Sequence, residues 1–478
     1  MTKACKNYID GRFVDADGKD VIEVLNPANA QVVGVAPDSG AADVEAAVAA
    51  AKRAQPAWEK LPPIARATLL RQISARIRAN VDRLARRITL EQGKVLSLAQ
   101  LEVAFTADYI DYMAEWARRI EGEIVSSDRP GESVFLFRQP IGVTAGILPW
   151  NFPFFLIARK VAPALVTGNT IVIKSSEETP LNAIDFADLL ADTEIPPGVI
   201  NILSGRGAST GHALSAHKDV DLVSFTGSVR TGINIMEAAS KNLTRVNLEL
   251  GGKAPAIVLA DADLELAAKA IYDSRVLNTG QLCNCAERIY VEKSVVEKFS
   301  ALVTAHMKAT TYGDPMADAS VSMGPLINEA GLKKVSALVD KAKASGAQVL
   351  TGGRVADRGK GHHYEPTVLV GCRSGMDIMS QEIFGPVLPI QAIDGIDEGI
   401  ALANDSEYGL TSSIFTRNIN SALQASRELR FGETYVNREH FEAMQGFHAG
   451  RRKSGIGGTD GKHGLYAYME THIVYMQG

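Results

Sequence analysis

Gly142-Val143-Thr144-Ala145-Gly146-Ile147-Leu148-Pro149-Trp150-Asn151 is where the chain changes rhythm. Upstream, from Ala42 to Ile120, the apolar residues have helical spacing: Leu69 or Leu70, Ile73 and Ile77 share one face, as do Val103, Ala107, Ile110 and Ala114. From Gly142 onward, short apolar runs alternate with helical ones. Strands are expected from Val143 to Leu148, Thr170 to Lys174, Val199 to Leu203, Leu222 to Thr226 and Val246 to Leu250. Such runs, separated by helices, indicate a parallel sheet with right-handed crossovers, the doubly wound α/β architecture. Ligands of such sheets lie beyond the carboxyl ends of the strands, where Pro149-Trp150-Asn151 falls.

After Gly251-Gly252-Lys253 a second cycle begins, and with it a second α/β unit. Its elements are a strand from Ala256 to Ala260, a helix from Leu264 to Leu277, a polar turn, a strand from Arg288 to Val291 and a helix from Val295 to Thr310. Asn328 to Ser345 reads as a further amphipathic helix ended by Gly346. Tyr8 to Phe13 reads as a hairpin around Asp10-Gly11, and Ser133 to Arg138 as a short strand. The last apolar run, His472 to Met476, reads as a strand that needs a sheet to join, in its own subunit or another.

Composition narrows the partners. Across 478 residues, 50 Lys and Arg against 55 Asp and Glu leave a net charge of -5, with no long basic or acidic block to recruit nucleic acid or lipid phosphates. The most apolar stretch, Phe152 to Lys174, is interrupted by Arg159, Lys160 and two prolines, so no bilayer span is expected. Met1 to Phe13 has no apolar core of the kind a secretory signal carries. Four cysteines in a chain this long suit a reducing compartment, and the cytoplasm is expected. Small molecules and other copies of the same chain are the expected partners, with no nucleic acid and no membrane.

The turn Asn278-Thr279-Gly280-Gln281-Leu282-Cys283-Asn284-Cys285 puts thiols beside amide side chains, a better setting for a nucleophile than an apolar helix face. Leu248-Glu249-Leu250 sets a carboxylate between leucines at a strand end, where burial would raise its pKa and suit it to activate water; pairing with Lys253 is the structural alternative. Asn151 can donate to a developing oxyanion or simply cap a helix before Pro153. Glu177, after the strand ending at Lys174, can accept from a ribose diol or sit in a solvated loop. Gly205-Arg206-Gly207-Ala208-Ser209-Thr210-Gly211 misses the dinucleotide spacing by one residue, whereas Phe225-Thr226-Gly227-Ser228 joins a strand to a helix whose amides can hold a pyrophosphate. Glu382 beside Phe384 offers another carboxylate, and no His/Cys cluster has metal-ligand spacing, so no metal is expected.

Taken together, Pro149-Trp150-Asn151-Phe152-Pro153, Lys174-x-x-Glu177, Phe225-Thr226-Gly227-Ser228, Glu249-Leu250-Gly251-Gly252-Lys253, Gly280-Gln281-x-Cys283 and Glu382-x-Phe384-Gly385-Pro386 resemble the aldehyde dehydrogenase superfamily from end to end. The resemblance implies Cys283 as nucleophile, Glu249 as general base, and Asn151 with the Cys283 N–H as oxyanion donors. It implies cofactor binding by Pro149, Trp150, Lys174, Ser176, Glu177, Phe225, Gly227, Ser228, Leu250, Glu382 and Phe384. Within that set, Lys174 and Glu177 would hold the adenine ribose, Ser228 the pyrophosphate, and Glu382 with Phe384 the nicotinamide end. Ser175 stands where the family usually has Pro. NAD is the implied cofactor, with NADP less favoured because of Glu177. Glu249 also argues for hydrolysis over transfer to coenzyme A.

Within the family, Ala104 to Trp116, Phe154 to Lys160, and Phe431-Gly432-Glu433-Thr434-Tyr435 through Gly455 are similar to the bacterial lactaldehyde and glycolaldehyde dehydrogenases. That likeness implies Arg159, Asn284, Glu442 and His448 as contacts to a short hydroxyaldehyde; a helix salt bridge for Arg159 and a surface position for His448 are the plainer readings. Succinate-semialdehyde or broad-range oxidation is the alternative within the family, disfavoured by Leu277, where a second Arg is usual. A cofactor-independent thiol esterase and a non-catalytic structural protein are the alternatives outside it. The resemblance further implies three parts: an NAD-binding domain of Rossmann type (1–121 and 141–249), a catalytic domain (250–457), and a small β oligomerisation arm (122–140 and 458–478) that forms dimers or tetramers.

Overall fold

The computed structural model describes residues 5–478. Its larger sheet has eight strands, and five parallel ones form the centre in the order Arg245–Glu249, Leu222–Thr226, Val143–Ile147, Thr170–Lys174 and Ile200–Leu203. The chain builds outward from Val143–Ile147 to one side and then returns to the other, so the topological switch point lies at that first strand. Val143–Ile147 and Thr170–Lys174 are buried at every position, because helices cover both faces of the sheet. This is why those strands read as continuous apolar runs rather than alternating ones. Short antiparallel strands complete the edges: the Asn7–Ile9/Arg12–Val14 hairpin on one side and Gly455–Ile456 on the other.

The second sheet has seven strands in the order Gln348–Thr351, Thr367–Val370, Val387–Ile393, Ala286–Glu292, Ala254–Val258, Thr411–Phe415 and Glu433–Val436. All its pairings are parallel except the first. The expected C-terminal strand spans Met469–Gln477 and finds its sheet within the chain, antiparallel to Glu132–Pro140, which also pairs with Glu123–Ser126.

The Phe155–Thr167 helix follows the first central strand and is buried at every position, Arg159 and Lys160 included. Its first turn is satisfied by a side chain from a distant helix: Glu102 Oε1 accepts the N–H groups of Phe154 and Phe155 at 2.9 and 3.1 Å. The capping alternative for Asn151 is therefore not realised. Glu102 in turn is paired with Lys94 at 2.5 Å, both side chains fully buried. Among the described residues no helix is long and apolar enough to cross a membrane.

Candidate active site

The Leu264–Val276 helix runs into a tight turn in which Asn278, Thr279 and Gly280 all take positive φ (48°, 61° and 73°). Left-handed backbone is costly for residues with a Cβ, and here hydrogen bonds hold it. Asn278 Nδ2 donates to the Asn151 carbonyl at 3.0 Å, and Thr279 Oγ1 to the Gly324 carbonyl at 3.0 Å. Gln281 Nε2 donates to Asn278 O at 3.1 Å while its Oε1 accepts the Ile327 N–H at 2.8 Å. Gly252 lets the turn lie directly on the other chain segment, since a Cβ there would sit 2.1 Å from the Cys283 carbonyl oxygen.

Beneath the turn lies a closed polar knot. Glu287 pairs with Lys253 at 2.9 Å and Arg275 at 3.0 Å, and accepts the Ile383 and Phe384 N–H groups at 2.8 Å. Burial opposes its charge, but the two cations hold the carboxyl down to about 2. Lys253 is thus committed to Glu287, and the alternative pairing of Lys253 with Glu249 is not realised. Cys285 belongs to the same knot: it is buried, receives an N–H from Arg275 at 3.1 Å, and burial pushes its thiol up to about 12. Its neighbour Cys283 is only partly buried and faces a cavity.

That cavity, about 300 Å³, has walls of Leu98, Phe105, Phe155 and Phe441 and a polar floor of Asn151, Arg159, Glu249, Cys283, Glu442 and His448. Glu249 ends its strand there, 2 % exposed, and neither carboxylate oxygen has a hydrogen-bond partner in the protein. Burial raises its pKa to about 7 against the pull of His448 and Lys160. Lys160 donates to Thr226 Oγ1 at 2.9 Å, and burial lowers it to about 7. Asn151 Nδ2 donates to the Gln281 carbonyl at 3.0 Å, which ties the amide to the cysteine turn and leaves its second hydrogen available.

His448 is buried rather than at the surface. Its Nδ1 lies 2.6 Å from Glu433 and its Nε2 3.6 Å from Glu249, within hydrogen-bonding reach of the Cys283 thiol. Burial disfavours the imidazolium, but Glu442, Glu433 and Glu249 together raise its pKa well above the usual value. Burial pushes the Cys283 thiol up, and His448 pulls it back. Arg159 donates through Nε and NH2 to Asp460 at 3.0 and 2.5 Å, and through NH2 to Glu442 at 2.9 Å. Asn284 Nδ2 donates to the other oxygen of Glu442 at 2.5 Å. A thiol, a bare carboxylate and an amide donor thus share one small cavity, the equipment for adding to and then hydrolysing an acyl-type carbon.

The model of the aldehyde dehydrogenase family matches residues 13–474. Lactaldehyde dehydrogenase of Escherichia coli (strain K12) is 57% identical, over 98% of this chain and 98% of that protein. The chain belongs to the aldehyde dehydrogenase family. A 3,6-anhydro-alpha-L-galactose dehydrogenase of Vibrio sp. (strain EJY3) is 43% identical over 99% of both chains. The crystal structure of the Escherichia coli lactaldehyde dehydrogenase superposes with a TM-score of 0.99 at 56% identity, covering all of both chains. This aldehyde dehydrogenase is accordingly an oxidoreductase.

The carboxyl ends of the large sheet's strands carry several of the positions expected to bind cofactor. Lys174 Nζ, at its strand end, is paired with Glu177 at 3.1 Å. The Lys174 side chain is buried and that of Glu177 is 41% exposed, and the Ser176 hydroxyl accepts the Glu178 N–H at 3.3 Å. A cation and an open carboxylate at adjacent points suit a ribose diol, so this pair fits a nucleotide cofactor. Ser228 caps the Val229–Ser240 helix by accepting the Thr231 N–H at 3.3 Å, and a Cβ on Gly227 would meet the Phe225 ring at 2.4 Å. Leu250 packs against Gly232 of that helix.

Trp150, just after Pro149, meets Phe384 edge to face at 5.5 Å, and Phe384 itself has a positive φ of 58°. Glu382 accepts the Gly252 N–H at 2.8 Å, and burial raises its pKa to about 7. Among the described residues no group of three or more His, Cys, Asp or Glu is arranged to hold a metal ion.

Several residues around the site escaped the sequence reading: Glu102 and Lys94, Lys160, Glu287, Glu433 and Asp460. One signal was available. Arg159 and Lys160 stand in a helix that is otherwise apolar all round, and buried cations must find partners.

Proposed function

We propose that this aldehyde dehydrogenase oxidises a short hydroxyaldehyde, lactaldehyde or glycolaldehyde, to the carboxylic acid with NAD. The observation that carries the reading is the Cys283 thiol and the unpartnered Glu249 carboxylate together on the floor of one cavity of about 300 Å³. Arg159, Asn284, Glu442 and His448 line the same cavity and suit a substrate hydroxyl. Relatives named for lactaldehyde and for an anhydrosugar support a hydroxylated aldehyde.

In this reading the Cys283 thiolate adds to the aldehyde carbon. The free amide hydrogen of Asn151 and the Cys283 N–H donate to the oxyanion that forms. Imidazolium at His448 stabilises the thiolate before attack. The chemistry a bound nicotinamide supplies is acceptance of a hydride from the adduct, which leaves a thioester on Cys283. Glu249 as carboxylate then takes a proton from water, and hydroxide attack releases the acid and restores the thiolate. Its pKa of about 7 suits both halves of that task.

Lys174 and Glu177 would hold the adenine ribose, Ser176, Phe225, Gly227, Ser228 and Leu250 the adjoining stretch, and Pro149, Trp150, Glu382 and Phe384 the nicotinamide end. The Glu177 carboxylate would repel a 2′-phosphate, which favours NAD over NADP. A division into an NAD-binding part (1–121 and 141–249), a catalytic part (250–457) and an arm (122–140 and 458–478) is supported by sheet membership, although Gly455–Ile456 crosses back to the large sheet. The arm exposes Ile124 (77%) and Tyr475 (66%), which supports assembly into dimers or tetramers of this chain. Four free thiols support a cytoplasmic setting.

The test is cofactor reduction by the purified enzyme with NAD or NADP and a panel of short aldehydes, with Cys283→Ala as control. Reduction of NAD with glycolaldehyde or lactaldehyde, abolished in the variant, is expected. Preference for succinate semialdehyde would move the substrate assignment to that alternative. Release of acid from an activated ester without any cofactor reduction would replace the proposal with a thiol esterase, and no reaction of either kind with a structural protein.

A further inference from the structure

Asp460 lies 301 positions from Arg159 in the chain, yet takes two of its donors, at Nε (3.0 Å) and NH2 (2.5 Å). It is 1% exposed and held at φ 70°, ψ 163°, a region essentially reserved for glycine. Gly461 beside it also has a positive φ, 54°. An aspartate kept in strained backbone, where glycine would be at ease, indicates that the carboxylate itself is required there. Its effect is on the charge that Arg159 presents. Glu442 takes a further bond from NH2 at 2.9 Å, and the Phe155 ring lies 4.9 Å from the guanidinium carbon. One guanidinium is therefore matched by two carboxylates, which take its Nε and NH2 donors and outweigh its single charge.

Resting on the reading of this cavity as the aldehyde site, we infer that Asp460 is a specificity-determining residue: by neutralising Arg159 together with Glu442 it closes the cavity floor to aldehydes that carry a carboxylate and reserves it for uncharged ones. The rest of the floor agrees. The other cation on the floor, His448, lies 2.6 Å from Glu433 and 3.6 Å from Glu249, so an anionic substrate meets no unpaired positive charge there. Replacing the acid with an amide removes one of the two charges that neutralise Arg159, and a guanidinium so released is a good receptor for a carboxylate.

The test compares kcat/KM for succinate semialdehyde and glycolaldehyde in the wild-type enzyme and in Asp460→Asn, which keeps the shape of the side chain and removes its charge. Both substrates use Cys283 and Glu249, so any change in the chemistry they share cancels in the ratio. The ratio of anionic to neutral substrate is expected to rise by about tenfold or more in the variant. Asp460→Gly, which relieves the backbone, provides the same comparison if the amide variant does not fold. Succinate binding, followed by calorimetry, is expected to tighten by a similar factor and needs no turnover. If the wild-type enzyme oxidises neither aldehyde, the functional reading fails, and the succinate measurement still decides the role of Asp460. An unchanged ratio with unchanged succinate affinity, or a parallel loss for both substrates without tighter succinate binding, would overturn the inference and leave Asp460 as an anchor of the fold.

Discussion

Glu287 and Glu249 are both buried glutamates close to the cysteine turn, one below it and one beside it, and they have opposite fates. Glu287 has four donors within 3.0 Å and is held at about 2. Glu249 has none, and burial lifts it to about 7. Burial is common to the two; the difference is the pair of cations, with the backbone donors beside them, that hydrogen-bond Glu287 directly. A buried carboxylate surrounded by donors is locked ionised and serves as scaffold, whereas one left bare is poised between charge states near neutral pH and can move a proton. The two thiols follow the same division, with Cys285 in the saturated knot and Cys283 at the open cavity.

The sharpest way to break this contrast is to make both carboxylates amides. Glu249→Gln is expected to lower turnover by about 10²- to 10⁴-fold, the usual range for losing a general base. A burst of reduced cofactor followed by a slow phase would show that the acyl-enzyme still forms, while thermal stability stays level or rises. Glu287→Gln should do the reverse in kind. It leaves Lys253 and Arg275 facing a neutral group, and breaking a buried pair costs about 3 to 5 kcal/mol, read as a fall in the unfolding midpoint. Intact stability in that variant would remove the scaffold role.

A smaller effect follows from pH. The folded pKa of Glu249 lies above its ordinary value of 4.5, so its contribution to stability is fully present below 4.5 and is lost as pH rises through about 7. For Glu287 the folded value is depressed, so its contribution is present above 4.5 and is lost as pH falls toward about 2. Melting temperatures of the wild type and each Gln variant across pH should diverge in these opposite directions, and wild-type activity should rise through about pH 7 as Glu249 ionises. The least effect is expected for Cys285→Ser, whose kcat should match the wild type, since a thiol pushed up to about 12 takes no part as a nucleophile.

The central strands were legible because burial on both faces writes them as apolar runs; the expected Thr170 to Lys174 and Leu222 to Thr226 match the structure end to end, and Val143 to Leu148 differs by one residue. The cysteine turn was legible as a polar interruption between helix and strand. The partners of its residues were not. Glu102 caps a helix that starts over 50 residues later, Glu287 gathers backbone from Ile383 and Phe384, and Asp460 reaches Arg159 across 301 positions. Spacing along the chain carries no trace of such pairings, because nothing periodic links their members.

Periodicity and composition by themselves determined the two α/β units, the strand ends where chemistry can sit, and which residue types stand there. Tertiary structure alone decided which of those groups are armed. Ionisation depends on the donors and charges within a few ångströms of a buried atom, and these come from segments that only folding brings together: Glu249 is left bare, Glu287 is saturated, and Arg159 is neutralised by Glu442 and Asp460.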